Sequence, residues 1–405
     1  MSNERTAPST SHPTDHTPGD VSAIVVSGAT GLVGSLLVAE GLLRGARCLA
    51  LTRNPAAKEA IRAAVYGALI GHGLSEHKAE ELAASPLLVP ITVDWSDIDG
   101  LWTEALLRLD GVPLSAVFHC AADLSYGRKN LTRSYRQNVL CSTELYLACH
   151  RDRAALSPSF RFHYVSTAYS IGMSDAVIGE TLHHGIDELP TVYHLTKNAA
   201  EKNLYLSAQA PDRLPLTIVR PAGIIGHSQT GWYGSHAAGM AQVCELMATM
   251  ERMGLSDVTL DVRMDTSLSL LPIDVVVQWC FLVHERSTPS TAPRADIVHL
   301  TPVEWQDTQQ IMDATGRAFG THLRSGEPTT PLEKKLDEAA GMAKLYWNNT
   351  WRFERRRLHE LAGVSAVTDP YDVFEVMART GAWWKQNRAV QVARPAAQEQ
   401  AAAAL

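Results

Sequence analysis

Val21-Ser22-Ala23-Ile24-Val25-Val26-Ser27-Gly28-Ala29-Thr30-Gly31-Leu32-Val33-Gly34 is the stretch that decides the fold of this chain. An apolar, β-branched run flows into a glycine-punctuated turn, and then into a helix-like stretch from Ser35 to Leu43. A strand, turn and helix in that order leave the helix N-terminus bare. Unpaired N–H groups and the helix dipole there favour an anion such as a phosphate. Gly28, Gly31 and Gly34 let backbone approach a pyrophosphate without Cβ interference, and Thr30, Leu32 and Val33 complete the cradle.

Outward from this turn, apolar runs alternate with helical patterns. Strands are expected at 21–27, 46–52, 87–93, 114–120, 161–167, 214–220 and 297–301. Short continuous apolar runs separated by helices predict a parallel sheet covered on both faces, hence an α/β, doubly wound (Rossmann) fold. After Gly226 the pattern changes. Residues 227–236 read as a loop over a pocket, followed by helical stretches at about 236–253, 331–362 and 371–386. The expected organisation is a disordered tail over 1–20, a dinucleotide-binding domain over 21–226, and a smaller, mainly helical substrate lobe over 227–393. Residues 271–301 return to the sheet, and 394–405 form a second disordered tail.

The 405 residues are 45% apolar and 20% charged, the balance of an ordinary globular protein. A net charge of −7 argues against nucleic acid as the main partner, because phosphate neutralisation needs a basic face. Six scattered cysteines without framework spacing read as reduced thiols of a cytosolic core. No apolar run reaches the roughly 18–20 residues needed to span a bilayer, and the N-terminus lacks a secretory apolar region. The expected location is the cytoplasm, and the sequence sets no oligomeric state.

The second strand ends in Thr52-Arg53-Asn54. An acidic residue there would bind the ribose diol of NAD, whereas the guanidinium of Arg53 pairs with a 2′-phosphate and favours NADPH. The alternative is a solvated surface arginine. Asp94, ending the third strand, is either an acceptor for the adenine amino group or a turn aspartate. The fourth strand closes on His119-Cys120-Ala121-Ala122-Asp123, whose small Ala121 and Ala122 let backbone pack beside the dinucleotide. No second ligand pair follows His119 and Cys120, so no metal is expected. Val165-Ser166-Thr167 precedes Tyr193-His194-Leu195-Thr196-Lys197. A hydroxyl, a tyrosine, and a lysine four residues on along the same helix face form an acid system for hydride transfer. The lysine lowers the phenol pKa and binds the cofactor ribose, the tyrosine exchanges a proton with the substrate oxygen, and the hydroxyl orients that oxygen. Of the two hydroxyls, Thr167 is assigned to the substrate and Ser166 is its neighbour.

These motifs, with Asn138-Val139, Val219-Arg220-Pro221 and Leu271-Pro272-Ile273-Asp274-Val275, resemble the extended short-chain dehydrogenase/reductases over about residues 21–280. Within them the chain is most similar to the fatty acyl-CoA reductase and thioester reductase branch, which includes the reductase domains of carboxylic acid reductases. The resemblance implies that Asn138 supports the active-site helix and relays protons. It also implies that Arg220 and Pro221 border the nicotinamide, and that the later lobe holds the acyl or carrier portion. The implied function is NADPH-dependent reduction of an acyl thioester, or of the aldehyde or ketone derived from it, with substrate delivered by CoA or a separate acyl carrier protein. An alcohol or ketone oxidoreductase and a nucleotide-sugar epimerase or dehydratase use the same constellation. A non-catalytic dinucleotide sensor would dispense with Tyr193 and Lys197.

Overall fold

Strands made of unbroken apolar runs must be covered on both faces, and that requirement organises this molecule. The computed structural model describes residues 22–172, 177–185, 189–234, 239–288, 292–363 and 369–387. Both expected tails lie outside the described residues. The strands are β1 (Ala23–Ser27), β2 (Arg47–Thr52), β3 (Leu88–Thr92), β4 (Leu114–His119), β5 (Leu156–Val165), β6 (Leu216–Pro221) and β7 (Ala295–Leu300). They form one sheet of seven strands in the order β7-β6-β5-β4-β1-β2-β3. Every pairing in it is parallel. The chain runs outward from β1 to β3, then crosses back to β4 and continues to the other edge. Crossovers diverge between β1 and β4, which opens a crevice at the strands' carboxyl ends.

Helices α1 (Leu32–Leu43), α2 (Ala57–Gly71) and α3 (Glu76–Ala83) cover one face. The opposite face is covered by α4 (Ile98–Leu107), by a helical run of α5 (Leu131–Tyr135), a π-turn (Arg136–Leu140) and α6 (Cys141–Arg151), and by α7 (Val192–Gln209). The C-terminal region is mostly helical: α8 (Met240–Arg252), α9 (Ile273–Arg286), α10 (Thr308–Gly316), α11 (Pro331–Trp347), α12 (Arg356–Ala362) and α13 (373–387). Of these, α9 and α12 return to the first face of the sheet, while α8, α10, α11 and α13 share a separate core.

One expected helix is broken. The stretch 331–362 stops at Trp347, passes through the short strand Arg352–Phe353 and resumes as α12. The polar residues after Trp347 turn to neighbouring backbone instead: Asn348 Oδ1 accepts from Arg263 N (2.8 Å) and Thr350 Oγ1 accepts from Ser267 N (3.1 Å). Short polar side chains compete with the helix in this way.

The glycine turn is sterically closed. A Cβ on Gly34 would stand 2.2 Å from the carbonyl oxygen of Gly28. Gly34→Ala is therefore expected to cost about 1–3 kcal/mol in denaturant unfolding. Gly67, inside α2 with nothing within 4 Å of its virtual Cβ, is the control. There Gly67→Ala should stabilise by about 0.5–1 kcal/mol; equal effects at the two positions would contradict the packing described.

Candidate active site

The glycine turn rests on the end of β4. Gly28 has φ +68°, and a Cβ there would lie 2.9 Å from Ala121 N. Helix α1 is capped by Gly31, with no side-chain cap bond and no acidic residue in its first turn, so the residues themselves leave its N–H groups to an outside anion. Thr30, Leu32 and Val33 are half-buried around it. Beneath the turn, Ser27 Oγ accepts from Cys120 N and Ala121 N (both 3.1 Å) and donates to His119 Nδ1 (2.7 Å). His119 Nε2 donates to Ser142 Oγ (2.8 Å), which donates to Asn138 O (2.7 Å). Burial first, then the Lys197 charge, pushes the His119 imidazole down to about 3, so it stays neutral. Both ring nitrogens of His119 are occupied. Among the described residues no three His, Cys, Asp or Glu side chains converge as metal ligands.

A second cleft lies beyond the ends of β2 and β3, lined by Arg53, Asp94, Trp95, Arg136, Gln137 and Cys141. Arg53 Nη1 donates to Gln137 Oε1 (3.2 Å), which ties the end of β2 to the π-turn. Asp94 has a turn role in addition to its place in the cleft. Its Oδ1 accepts from Ser96 Oγ (2.6 Å) and Ser96 N (2.8 Å), and these bonds hold its carboxyl below the usual range.

Beyond the carboxyl end of β5 the chain places Ser166 and Thr167, and α7 brings Tyr193 and Lys197. Thr167 lies close enough to the Tyr193 phenol to lower its pKa, an effect smaller than that of burial. Lys197 is buried; its Nζ donates to Val165 O (2.6 Å) and lies 4.3 Å from the centre of the Tyr164 ring. Burial pushes its ammonium down to about 8. Burial, and then the neighbouring Tyr126, raises the Tyr193 phenol well above its ordinary value, against the lowering expected from Lys197. Asn138 stands in the π-turn with its amide fully engaged. Its Nδ2 donates to Asp123 O and Thr196 Oγ1 (both 2.9 Å), and its Oδ1 accepts from Asp123 N (2.6 Å). The structure thus brings Thr167, Tyr193, Lys197 and Asn138 together, with Ala121 and Ala122 at the neighbouring end of β4. Pro221 ends β6, two strands from β4 in the sheet.

Sequence reasoning passes over Glu201, one helical turn beyond Lys197. Its Oε1 accepts from Ser170 Oγ (2.8 Å) and Arg220 Nε (3.1 Å), and its Oε2 accepts from Arg220 Nη2 (2.6 Å). Arg220 Nη1 also donates to His299 Nε2 (3.2 Å), whose Nδ1 donates to Glu354 O (2.7 Å). The four-residue step from Lys197 to Glu201 was the available signal. The C-terminal region adds Tyr346, whose hydroxyl meets His194 Nε2 (3.1 Å), and Trp351, whose Nε1 donates to Gly172 O (3.0 Å).

The donor set fits a dinucleotide: a Cβ-free cradle, an uncapped helix start, and a buried Ser166 hydroxyl without a partner at the end of β5. The comparisons agree. The family model described as male sterility protein, an NAD-binding family, matches residues 26–280. The chain belongs to the male sterility protein family. A search of curated proteins finds no match. Among solved structures it is similar to the terminal R domain of the myxalamid PKS-NRPS pathway, with TM-score 0.67 and 22% identity, covering 93% of this chain and 92% of that one. A thiolation-reductase di-domain from an archaeal non-ribosomal peptide synthetase gives TM-score 0.65 and 14% identity, covering 91% and 76%. The UDP-glucuronic acid 4-epimerase of Bacillus cereus, solved with NAD, gives TM-score 0.62 and 15% identity, covering 90% and 96%. The expected kinship is borne out at the level of family and fold: the chain carries the NAD-binding domain of the male sterility proteins and shares its fold with these R domains and epimerases. No helix among its described residues is long and apolar enough to cross a membrane.

The Glu201–Arg220 pair is fully buried, with side-chain exposures of 1% and 0%. Breaking it from one side strands a charge, so Glu201→Gln and Arg220→Met are each expected to cost about 3–5 kcal/mol of folding stability. Their combination should cost less than the sum in a double-mutant cycle. Strict additivity would mean that the two groups do not interact.

Proposed function

We propose that this chain is a cytoplasmic NADPH-dependent reductase. Its substrate would be the carbonyl of an acyl thioester, carried on CoA or on a carrier protein, or the aldehyde derived from it. The observation that carries the reading is buried Lys197 one turn along α7 from Tyr193, its Nζ bonded to Val165 O two residues before Thr167. When bound, the nicotinamide supplies hydride to the carbonyl carbon. Thr167 and Tyr193 hold the carbonyl oxygen between two hydroxyls. The raised phenol pKa keeps Tyr193 protonated at neutral pH, the state required of a group that gives its proton to that oxygen. One Lys197 donor is spent on Val165 O, which leaves the others for the cofactor ribose. Asn138 fixes Thr196 beside Lys197. Gly28, Gly31 and Gly34 receive the pyrophosphate, with Ala121, Ala122 and Pro221 bordering the cofactor.

With a thioester, one hydride and one proton give a hemithioacetal. Its collapse breaks the C–S bond and releases a thiol and an aldehyde; a second hydride and proton give the alcohol. The Tyr193 ring lies 6.2 Å from that of Tyr126, and Tyr346 joins the next residue on the helix, His194. These aromatic walls favour an acyl chain. NADPH is favoured by Arg53 and Arg136 in the cleft beyond β2, two cations suited to a 2′-phosphate. Six free cysteines suit a reducing compartment.

Tyr193→Phe is expected to lower kcat/KM for NADPH-dependent thioester reduction by about 10²–10⁴, with NADPH affinity retained in a fluorescence titration. Unchanged turnover would remove Tyr193 from the mechanism. The reductive rate should also fall as pH rises through about 8, where Lys197 loses the charge that holds the ribose. In Lys197→Arg that limb should move to higher pH, and a profile unchanged by the substitution would assign the limb elsewhere.

A further inference from the structure

The chain from Leu124 to Thr143 is unlike the rest of this acidic protein. It carries Arg128, Lys129, Arg133 and Arg136 and no carboxylate, in a chain of net charge −7. It also exposes Leu124 (44%), Leu131 (40%), Tyr135 (41%) and Leu140 (42%). Leu131 and Tyr135 are four residues apart on α5 and share one face of it. Arg133 is engaged by Asp123, and Arg136 faces the cleft beyond β2. Arg128 and Lys129 are exposed, and neither is in an ion pair with a described residue. Exposed apolar side chains next in the chain to two unpaired cations have the composition of a recognition surface.

The position of the surface says what it would serve. It follows directly on Tyr126, whose carbonyl accepts from Val192 N (3.2 Å) at the start of α7, and whose ring lies 6.2 Å from that of Tyr193. A partner seated on Arg128, Lys129, Leu131 and Tyr135 would therefore lie next to the segment that carries Tyr126 up to Tyr193. A second copy of this chain is the poorer occupant. Around a two-fold axis the same patch faces itself, setting cations against the same cations.

We propose that this surface docks an acidic carrier protein. Carboxylates on the partner would meet Arg128 and Lys129, its apolar residues would cover Leu131 and Tyr135, and its tethered acyl thioester would enter past Tyr126. The proposal rests on the thioester reading above and adds the partner to it. Docking of this kind acts mainly on encounter, so its signature is a substrate-dependent loss in kcat/KM that salt reproduces.

The test compares one acyl group in two forms: bound to a phosphopantetheinylated acyl carrier protein, and as the free pantetheine thioester. In the Arg128→Glu, Lys129→Glu double variant, kcat/KM for the carrier-bound form should fall at least about tenfold, while the free thioester is reduced at the wild-type rate. Added salt should slow only the carrier-bound reaction of the wild type. The Arg128→Lys, Lys129→Arg variant should keep both activities, which separates charge from folding. Equal loss on both forms, or no loss on either, would overturn the docking surface. So would sedimentation showing a wild-type dimer that the charge reversal dissociates. A wild type that reduces the free thioester but is indifferent to these changes leaves the reductase reading intact and removes only the surface. A wild type that reduces neither form removes both.

Discussion

The ion pair between Glu201 and Arg220 is the constraint on which the rest of the site depends. Taking two charges out of water is costly, and the cost is offset only when geometry and further hydrogen bonds satisfy both groups. Here Ser170, His299 and two separate contacts from the guanidinium do so. The result fastens α7 to β6 at one orientation. Tyr193, Lys197 and Glu201 recur every four residues, so they stack along one stripe of that helix. Once Glu201 is anchored, the rotation of α7 is set, and Lys197 is delivered under Val165 and against Tyr164. Tyr193, Lys197 and Glu201 are therefore one rigid unit rather than three independent side chains.

The cofactor half is built on a different economy of atoms. Ser27 uses a single hydroxyl to hold two backbone N–H groups of the β4 end and to fix the tautomer of His119. His119 in turn reaches Ser142 and the carbonyl of Asn138. This buried chain joins the glycine turn to the π-turn, and Asn138 continues it to Thr196 on α7. The two halves of the site are thus linked through the interior of the sheet. Neutral His119 beside cationic Lys197 avoids a second buried positive charge.

Much of the fold was legible in the sequence. The seven strands fall where unbroken apolar runs end in turns, because burial on both faces leaves no polar alternation to obscure them. The positions of Gly28, Arg53, Thr167, Tyr193 and Lys197 were readable because a strand end or a helix spacing fixes where each one stands. Other partners became visible only through pairing. Ser27 meets His119 through the parallel register of β1 and β4, and Arg136 reaches the cleft beside Arg53 only when the π-turn folds back across the sheet. Strands of a few residues, such as Val177–Ile178 against Arg352–Phe353, are too short to leave a period in the sequence. The break after Trp347 was hidden because Asn348 and Thr350 find their backbone partners far away in the chain.

Hydride transfer to a thioester carbonyl is the central claim, and the fate of the hydride tests it most directly. The protein is incubated with an acyl pantetheine thioester and NADPH carrying deuterium in the transferred position at C4 of the nicotinamide, and the products are analysed by mass spectrometry with a thiol assay. The account requires deuterium on the former carbonyl carbon of the aldehyde or alcohol, with one free thiol released for each acyl group reduced. Thiol release without label in the acyl product, or labelled product from the NADH counterpart but none from NADPH, would contradict it.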